Sequence, residues 1–131
     1  MQRKGRIHWR AVMFGYLFDY ISSLFIGAIA YSVNQNIATE SLFASTTGIV
    51  YAVLGVLMTV IGGFIAGRIA KEERFLHGFL VGGIGIVVLL LEGLLGAQIP
   101  LENIILTFVA TVLGGIAGYL SRWTPARERG K

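Results

Sequence analysis

The chain contains no cysteine, only 2 prolines, and few charged residues, which make up 14% of its 131 residues. The absence of cysteine excludes disulfides, thiolate metal sites and thiol nucleophiles. Soluble domains carry about 25% charged residues, so this low charge, with 55% apolar residues and a mean hydropathy of +0.73, indicates a membrane protein. Gly-x-Ser-x-Gly, His-Glu-x-x-His and phosphate-loop motifs are also missing, which predicts that the protein is not an enzyme.

Lysine and arginine are missing from two of the segments that flank the long apolar stretches. These two segments, at residues 34–41 and 98–103, contain only Glu40 and Glu102 as charges. Cytoplasmic segments of membrane proteins collect Lys and Arg, so both termini and the middle loop are predicted to face the cytoplasm. The net charge of +4 is attributed to anchoring at lipid head groups, and nucleic acid is not expected as a partner. The basic residues are Arg3, Lys4, Arg6, Arg10, Arg68, Lys71, Arg74, Arg122, Arg127, Arg129 and Lys131.

Four apolar stretches are long enough to cross a bilayer, which takes about 20 helical residues. The predicted spans are residues 11–33, 42–69, 75–97 and 101–123. The apolar segment of a signal peptide has about 7–15 residues. The first stretch is longer than that and contains Asp19, so we expect it to be retained as a helix. The predicted fold is an all-α polytopic membrane protein with one domain at 1–123, two hairpins, both termini inside, and a mobile polar tail at 124–131.

Glycine is abundant, with 18 residues, and it is placed periodically. Lipid gives helices no hydrophobic reason to associate, so small residues that allow close backbone approach are typical of their interfaces. Projection at about 100° per residue puts the small residues of each span on one stripe, and this predicts a bundle packed through glycine. The predicted packing residues are Gly48, Gly55, Gly62, Gly63, Gly78, Gly82, Gly85, Gly114, Gly115 and Gly118.

An internal repeat relates the second span to the fourth. Thr59-Val60-Ile61-Gly62-Gly63 in the second span matches Thr111-Val112-Leu113-Gly114-Gly115 in the fourth. The first and third spans share Gly15-Tyr16-Leu17 and Gly78-Phe79-Leu80. Two interpretations stay open: a duplicated hairpin in parallel orientation, or a chance likeness between glycine-rich segments.

Two carboxylic acids, Asp19 and Glu92, are predicted at membrane depth, where such a residue costs about 2.5–3.5 kcal/mol. Asp19 lies about 12 Å beyond Ala11 by helical rise, and both acids are expected to point into the bundle. In one interpretation Asp19, Ser22 and Ser23 form a proton or cation site, with Glu92 further along the same path. In the other, the acids are hydrogen-bonded polar contacts between helices.

Two histidines, His8 and His77, are predicted near the cytoplasmic surface. Paired imidazoles can ligate haem or a pigment, but such ligands more often lie inside the span. His77 is interpreted instead as a contact at a helix start, with Glu73 one turn earlier. No cofactor and no metal site are expected.

The run Gly62-Gly63-Phe64-Ile65-Ala66-Gly67-Arg68, a short charged loop and His77-Gly78-Phe79-Leu80-Val81-Gly82 together resemble small four-helix bacterial membrane proteins of unknown function. The resemblance covers the middle third of the chain. It implies residence in a prokaryotic plasma membrane and implies no activity. Small four-helix multidrug exporters also carry a carboxylate in the first helix, as Asp19 is here, but the residues around it do not resemble theirs.

Three functions are consistent with this pattern. The first is a non-enzymatic accessory or structural subunit, which packs against other membrane proteins or its own copies through small-residue helix faces. The alternative is a small ion transporter, proton-coupled transporter or channel that uses Asp19, with or without Glu92. The third is a holin-like pore former. In each case we expect the protein to contact the lipid bilayer.

Overall fold

The computed structural model describes residues 6–38 and 41–124. The predictions for Arg3, Lys4, Glu40 and the tail at 125–131 lie outside these residues. The described chain forms four long helices, and the predicted all-α fold with four candidate membrane spans is confirmed. They are α1 (Trp9–Val33), α2 (Thr46–Ala70), α3 (Arg74–Leu94) and α4 (Leu101–Leu120), with 3-10 turns at Gln35–Ala38 and Ser121–Trp123.

The start of α2 differs from the prediction. The helix begins at Thr46 and not at residue 42. The Ser45 side chain caps the helix, since its hydroxyl accepts a hydrogen bond from the Gly48 N–H at 3.1 Å. A serine in this position satisfies an amide that has no partner within the helix, so the apolar residues before it belong to the connecting loop.

The end of α3 also differs from the prediction, because the helix stops at Leu94 and not at residue 97. Gly96 has a φ of +92°, in the left-handed region that glycine adopts at low energy. Its N–H donates to the Gly93 carbonyl at 3.1 Å, and the next N–H, of Ala97, donates to the Glu92 carbonyl at 3.0 Å. These are the two bonds of a Schellman motif, which ends a helix.

The two ends of the bundle differ in charge. Arg10, Arg68, Arg74 and Arg122 lie at one end, which we call the inner end, following the orientation predicted from charge. The loops at 34–45 and 95–100 lie at the other end, the outer end, and their described residues include no lysine or arginine. Large apolar side chains are exposed along all four helices, which is the surface that lipid chains require.

The helices approach most closely at glycines in the inner half of the bundle. A Cβ atom built on Gly63 would lie 2.7 Å from the Gly114 Cα, and one on Gly67 would lie 2.6 Å from the Gly118 Cα. Such distances leave no room for a side chain. α2 packs against all three other helices, and α3 packs against α1, α2 and α4. The inner half is therefore a tightly packed region.

The remaining predicted packing glycines fall into different environments. Gly78 contacts the Gly114 backbone, Gly82 contacts Thr111, and Gly115 lies under the Phe75 ring. Gly48 packs against the loop residue Leu42 of the same chain, and Gly85 makes only an ordinary contact with Thr107. Gly55 has no atom within 4 Å of a built Cβ, so its prediction as a packing residue was wrong. It faces open space because the helices separate at that level.

The two hairpins repeat the same contact at equivalent positions. In the first hairpin, a Cβ on Gly62 would lie 2.6 Å from the Gly15 carbonyl oxygen. In the second, a Cβ on Gly114 would lie 3.1 Å from the Gly78 carbonyl oxygen. These are the positions that the sequence repeat aligns, as a duplicated hairpin would predict. The same alignment matches Asp19 and Thr59 of the first hairpin with Gly82 and Thr111 of the second.

Candidate functional site

The Asp19 carboxylate is hydrogen-bonded to a threonine on the neighbouring helix. The Thr59 hydroxyl oxygen lies 3.1 Å from each carboxylate oxygen of Asp19 and 3.3 Å from the Gly55 carbonyl oxygen of its own helix. Ser23, one turn further along α1, also interacts with the carboxylate. Asp19 lies about 15 Å from Trp9 by helical rise, near the middle of α1. The carboxylate is thus held in the middle of the bundle.

A cavity of about 300 Å³ lies between all four helices, with Asp19 at its inner end. α1 and α2 contribute Asp19, Ser23 and Thr59, while α3 contributes Gly82 and Gly85. Most of the remaining lining is apolar, and such a mixture of apolar walls with a few convergent polar groups is typical of small-ligand sites. The other lining residues are Ile26, Leu42, Tyr51, Ala52, Gly55, Val56, Leu89, Asn103, Leu106, Thr107 and Ala110. We call it the Asp19 cavity.

A second cavity of about 920 Å³ lies at the outer end, and we call it the outer vestibule. It shares Leu42, Tyr51 and Asn103 with the Asp19 cavity, so the two are neighbours along one path. The buried Oδ1 atom of Asn103 has no hydrogen-bond partner among the described residues. An acceptor of this kind at the boundary can bind a donor from water or a ligand.

Glu102 joins the α1–α2 loop to the start of α4 beside the vestibule. One carboxylate oxygen accepts from the Ser41 hydroxyl at 2.8 Å, and the other accepts from the Leu42 N–H at 2.6 Å. Glu102 also lies in the first turn of α4, where the helix dipole favours a negative charge. The contact therefore fixes Leu42, which lines both cavities.

The Asp19 cavity is closed toward the inner end. One turn inward from Asp19, Gly15 contacts the Gly62 backbone directly. Next to this contact, Val12, Ala66 and Val81 form a core with no exposed surface. Water reaching Asp19 from the vestibule would therefore meet a packed apolar layer before the inner end.

Two of the predicted site residues are not brought to Asp19. Glu92 is exposed on α3 and lines neither cavity, so the prediction that it points into the bundle was wrong. Glu92 belongs to the outer end of α3, where every residue from 90 to 98 is exposed. Ser22 is half-buried but does not line the Asp19 cavity, whereas Ser23 does.

The two histidines do lie together. Their ring centroids are 5.8 Å apart, and the His8 backbone N–H donates to Nε2 of His77 at 2.8 Å. Nδ1 of His77 lies 2.8 Å from the Glu73 carbonyl oxygen, so it carries the proton and donates. His77 is fully buried with both ring nitrogens engaged, and it presents no nitrogen to a haem or pigment. The predicted contact with Glu73 is made through the backbone.

Sequence reasoning missed four polar residues of the site: Thr59, Thr107, Asn103 and Tyr51. Thr59 belongs to the repeated motif, but the sequence analysis assigned its hydroxyl no contact with Asp19. The others could not be found by projecting one helix at a time, because their role depends on which helices are neighbours. Within residues 6–38 and 41–124, no group of three or more His, Cys, Asp or Glu could hold a metal ion.

Comparison with known proteins adds no family to this description. Protein-family models, curated proteins and solved structures were each searched, and none matches the chain. The resemblance to small four-helix bacterial membrane proteins stays a prediction.

Proposed function

We propose that the protein is a membrane carrier for a monovalent cation, and that the cation competes with a proton for the Asp19 carboxylate. The observation that carries the proposal is the position of Asp19, at the inner end of a cavity that adjoins the outer vestibule. A carboxylate in the middle of a membrane span is costly. Access to water and a cation as counter-ion would lower that cost.

The contacts of Thr59 suit both protonation states of Asp19. When Asp19 is ionised, the Thr59 hydroxyl donates to a carboxylate oxygen at 3.1 Å. When Asp19 is protonated, its own O–H can donate to Thr59, whose hydroxyl then turns to the Gly55 carbonyl at 3.3 Å. A proton can therefore replace a cation without leaving a buried polar group unpaired, as exchange at a single site requires.

The two ends of the site also fit a carrier. The vestibule adjoins the cavity at the outer end, while the Gly15–Gly62 contact and the core around Val12 close the inner end. A continuous channel would be open at both ends at once. A carrier is open at one end at a time.

The repeat supports the same assignment. At the positions equivalent to Asp19 and Thr59, the second hairpin has Gly82 and Thr111, and a Cβ on Gly82 would lie 2.5 Å from the Thr111 Cα. The second hairpin is closely packed where the first has a carboxylate beside a cavity. A hairpin of this kind can therefore pack without a carboxylate at this position.

Transport into proteoliposomes tests the proposal. Adding tetramethylammonium chloride outside should release protons from vesicles loaded with a pH dye, at a rate that saturates with tetramethylammonium. Asp19→Asn should abolish this release, because Asn forms hydrogen bonds but exchanges no proton. Glu92→Gln is the matched control, since it removes an exposed carboxylate of α3, and it should leave the rate unchanged. Equal rates in Asp19→Asn and the unmodified protein would refute the proposal.

The accessory-subunit interpretation stays a competing prediction. It expects Asp19→Asn to be nearly silent and mild detergent to extract a complex with a different membrane protein. The holin-like interpretation expects release of large solutes from the same vesicles, which a carrier does not permit. We place the protein in a prokaryotic plasma membrane on the basis of the resemblance in its middle third.

A further inference from the structure

The Asp19 cavity and the outer vestibule share three lining residues, Leu42, Tyr51 and Asn103. An ion or a water molecule that moves from one cavity to the other passes these side chains, so we call this place the passage. Leu42 and the Tyr51 ring give the passage apolar walls. Water leaves an apolar constriction unless a polar group holds it there.

The side chain of Asn103 brings an unused acceptor to the passage. Its Oδ1 atom is buried and has no hydrogen-bond partner among the described residues. The backbone groups of Asn103 are already engaged, since its N–H donates to the Pro100 carbonyl at 3.0 Å and its carbonyl accepts from the Thr107 hydroxyl at 2.7 Å. Buried polar atoms almost always have a partner, and water supplies it where no protein group does.

The passage lies about two helical turns outward of the carboxylate. Gly63 of α2 contacts Gly114 of α4, and both helices run from the outer to the inner end. Thr59, the partner of the carboxylate, is level with Ala110, since each lies four residues before its glycine. Asn103 precedes Ala110 by seven residues, which is about 10 Å of helical rise. A hydrogen bond between oxygens spans about 2.8 Å, so a proton cannot cross this distance in one step.

Polar oxygens on two helices divide the distance. Ser23 lies four residues outward of Asp19 on α1, or about 6 Å, and Thr107 lies three residues outward of Ala110 on α4, or about 4.5 Å. Both line the Asp19 cavity, which has room for several waters. One water can bridge two oxygens that are about 5.6 Å apart. Waters held by these hydroxyls and by Asn103 can therefore connect the carboxylate to the passage.

We infer that Asn103 is a positioning residue for proton release, whose Oδ1 atom holds the water through which the Asp19 proton reaches the outer vestibule. This inference rests on the proposed function. The O–H bond of Asp19 breaks as its proton joins the nearest water, and each following water accepts one proton and passes on another. A hydronium ion leaves at the vestibule. The ionised carboxylate then binds one monovalent cation.

Proton release from proteoliposomes of the full chain, driven by external tetramethylammonium, tests this inference. Asn103→Leu keeps the approximate size of the side chain and removes the acceptor, so the maximal rate of release should fall at least tenfold. Calorimetry in nanodiscs should show unchanged tetramethylammonium binding in this variant, because Asp19 is intact. Gln35→Leu is the matched control, since Gln35 is an exposed amide at the outer end that lines neither cavity. It should leave the rate unchanged.

The solvent isotope effect separates a role in proton transfer from a role in structure. In Asn103→Leu the proton step becomes the slow step, so the ratio of the rates in H₂O and D₂O should rise above that of the unmodified protein. A general loss of structure lowers both rates equally and leaves the ratio unchanged. An unchanged rate in Asn103→Leu, or a lower rate with an unchanged ratio, overturns the inference.

A second variant keeps the test valid if Asn103→Leu does not fold, which a loss of tetramethylammonium binding would reveal. Asn103→Val has a smaller apolar side chain, and the same fall in rate and rise in isotope ratio are expected.

Asp19→Asn distinguishes failure of this inference from failure of the proposed function. Proton release that persists in Asp19→Asn refutes both. Release that is lost in Asp19→Asn but undiminished in Asn103→Leu leaves the carrier proposal standing and refutes only the role of Asn103.

Discussion

Thr59 of α2 places its hydroxyl oxygen at the same distance, 3.1 Å, from both carboxylate oxygens of Asp19 on α1. This is the polar contact that joins α1 to α2 at the middle of the bundle. It lies one turn from the Gly15–Gly62 contact. The Asp19 carboxylate is therefore next to a place where the backbones of α1 and α2 touch.

The Asp19–Thr59 contact should be measurable as a coupling energy. A double-mutant cycle of Asp19→Ala and Thr59→Val, followed by thermal unfolding in detergent, should give about 0.6 kcal/mol and at most about 1.7 kcal/mol, as for other hydrogen bonds between membrane helices. Thr59→Val should also slow proton exchange without abolishing it. A coupling energy of zero would mean that the two side chains do not interact in the folded protein.

Close packing at Gly15 should be intolerant of a methyl group. Gly15→Ala places Cβ 2.5 Å from the Gly62 carbonyl oxygen and should lower the free energy of unfolding by about 1–3 kcal/mol, as overpacking does. Gly83→Ala is the matched control, because nothing lies within 4 Å of its Cβ. It should be neutral or stabilising by up to about 1 kcal/mol, since alanine is the better helix former. An equal loss of unfolding free energy in both variants would show that the Gly15–Gly62 contact does not cause the destabilisation.

His77 should matter more than His8. His77→Phe removes the acceptor of the His8 N–H and leaves that amide unpaired, which costs about 1–3 kcal/mol. His8→Ala keeps its backbone N–H and loses only the ring contact at 5.8 Å, so we expect a loss of at most about 1 kcal/mol. Chemical denaturation in detergent gives both values. The reverse order would contradict the assigned hydrogen bonds.

Glu102 should hold the α1–α2 loop in place. Glu102→Ala removes both acceptors and should speed hydrogen exchange at the Leu42 amide by at least tenfold, since a bond to a charged group contributes about 1.5–3 kcal/mol. Glu102→Gln can still accept from Leu42 and donate to Ser41, so it should change exchange much less. Glu92→Ala, which removes an exposed carboxylate, serves as the control. Unchanged exchange in Glu102→Ala would show that the loop is held by other contacts.

The sequence was sufficient to predict the four long apolar helices and a carboxylate near the middle of the first. Apolar length and the placement of Lys and Arg depend only on the bilayer, and no knowledge of the neighbouring helices is needed. The ends of α2 and α3 were shifted because Ser45 and Gly96 form local hydrogen bonds that apolar length does not reveal.

The arrangement around Asp19 could be predicted only in part. Projection of a single helix identified the face of α1 that carries Asp19 and Ser23. It could not show that Gly55 lines a cavity while Gly62 forms a close contact, because both lie on the same stripe of α2. Glu92 was misplaced because every residue of α3 from 90 to its end at Leu94 is exposed, and projection of one helix cannot show where its packed part stops.

Thiol labelling tests the central claim, that Asp19 lies in a cavity reachable from the outer end and closed at the inner end. The chain has no cysteine, so Gly55→Cys and Gly83→Cys each introduce a single thiol. Neither built Cβ has an atom within 4 Å, but only Gly55 lines the Asp19 cavity. In sealed vesicles of known orientation, a cationic methanethiosulfonate reagent should modify Gly55→Cys from the outer side only and leave Gly83→Cys unmodified. Modification of Gly55→Cys from the inner side, or from neither side, would contradict the account.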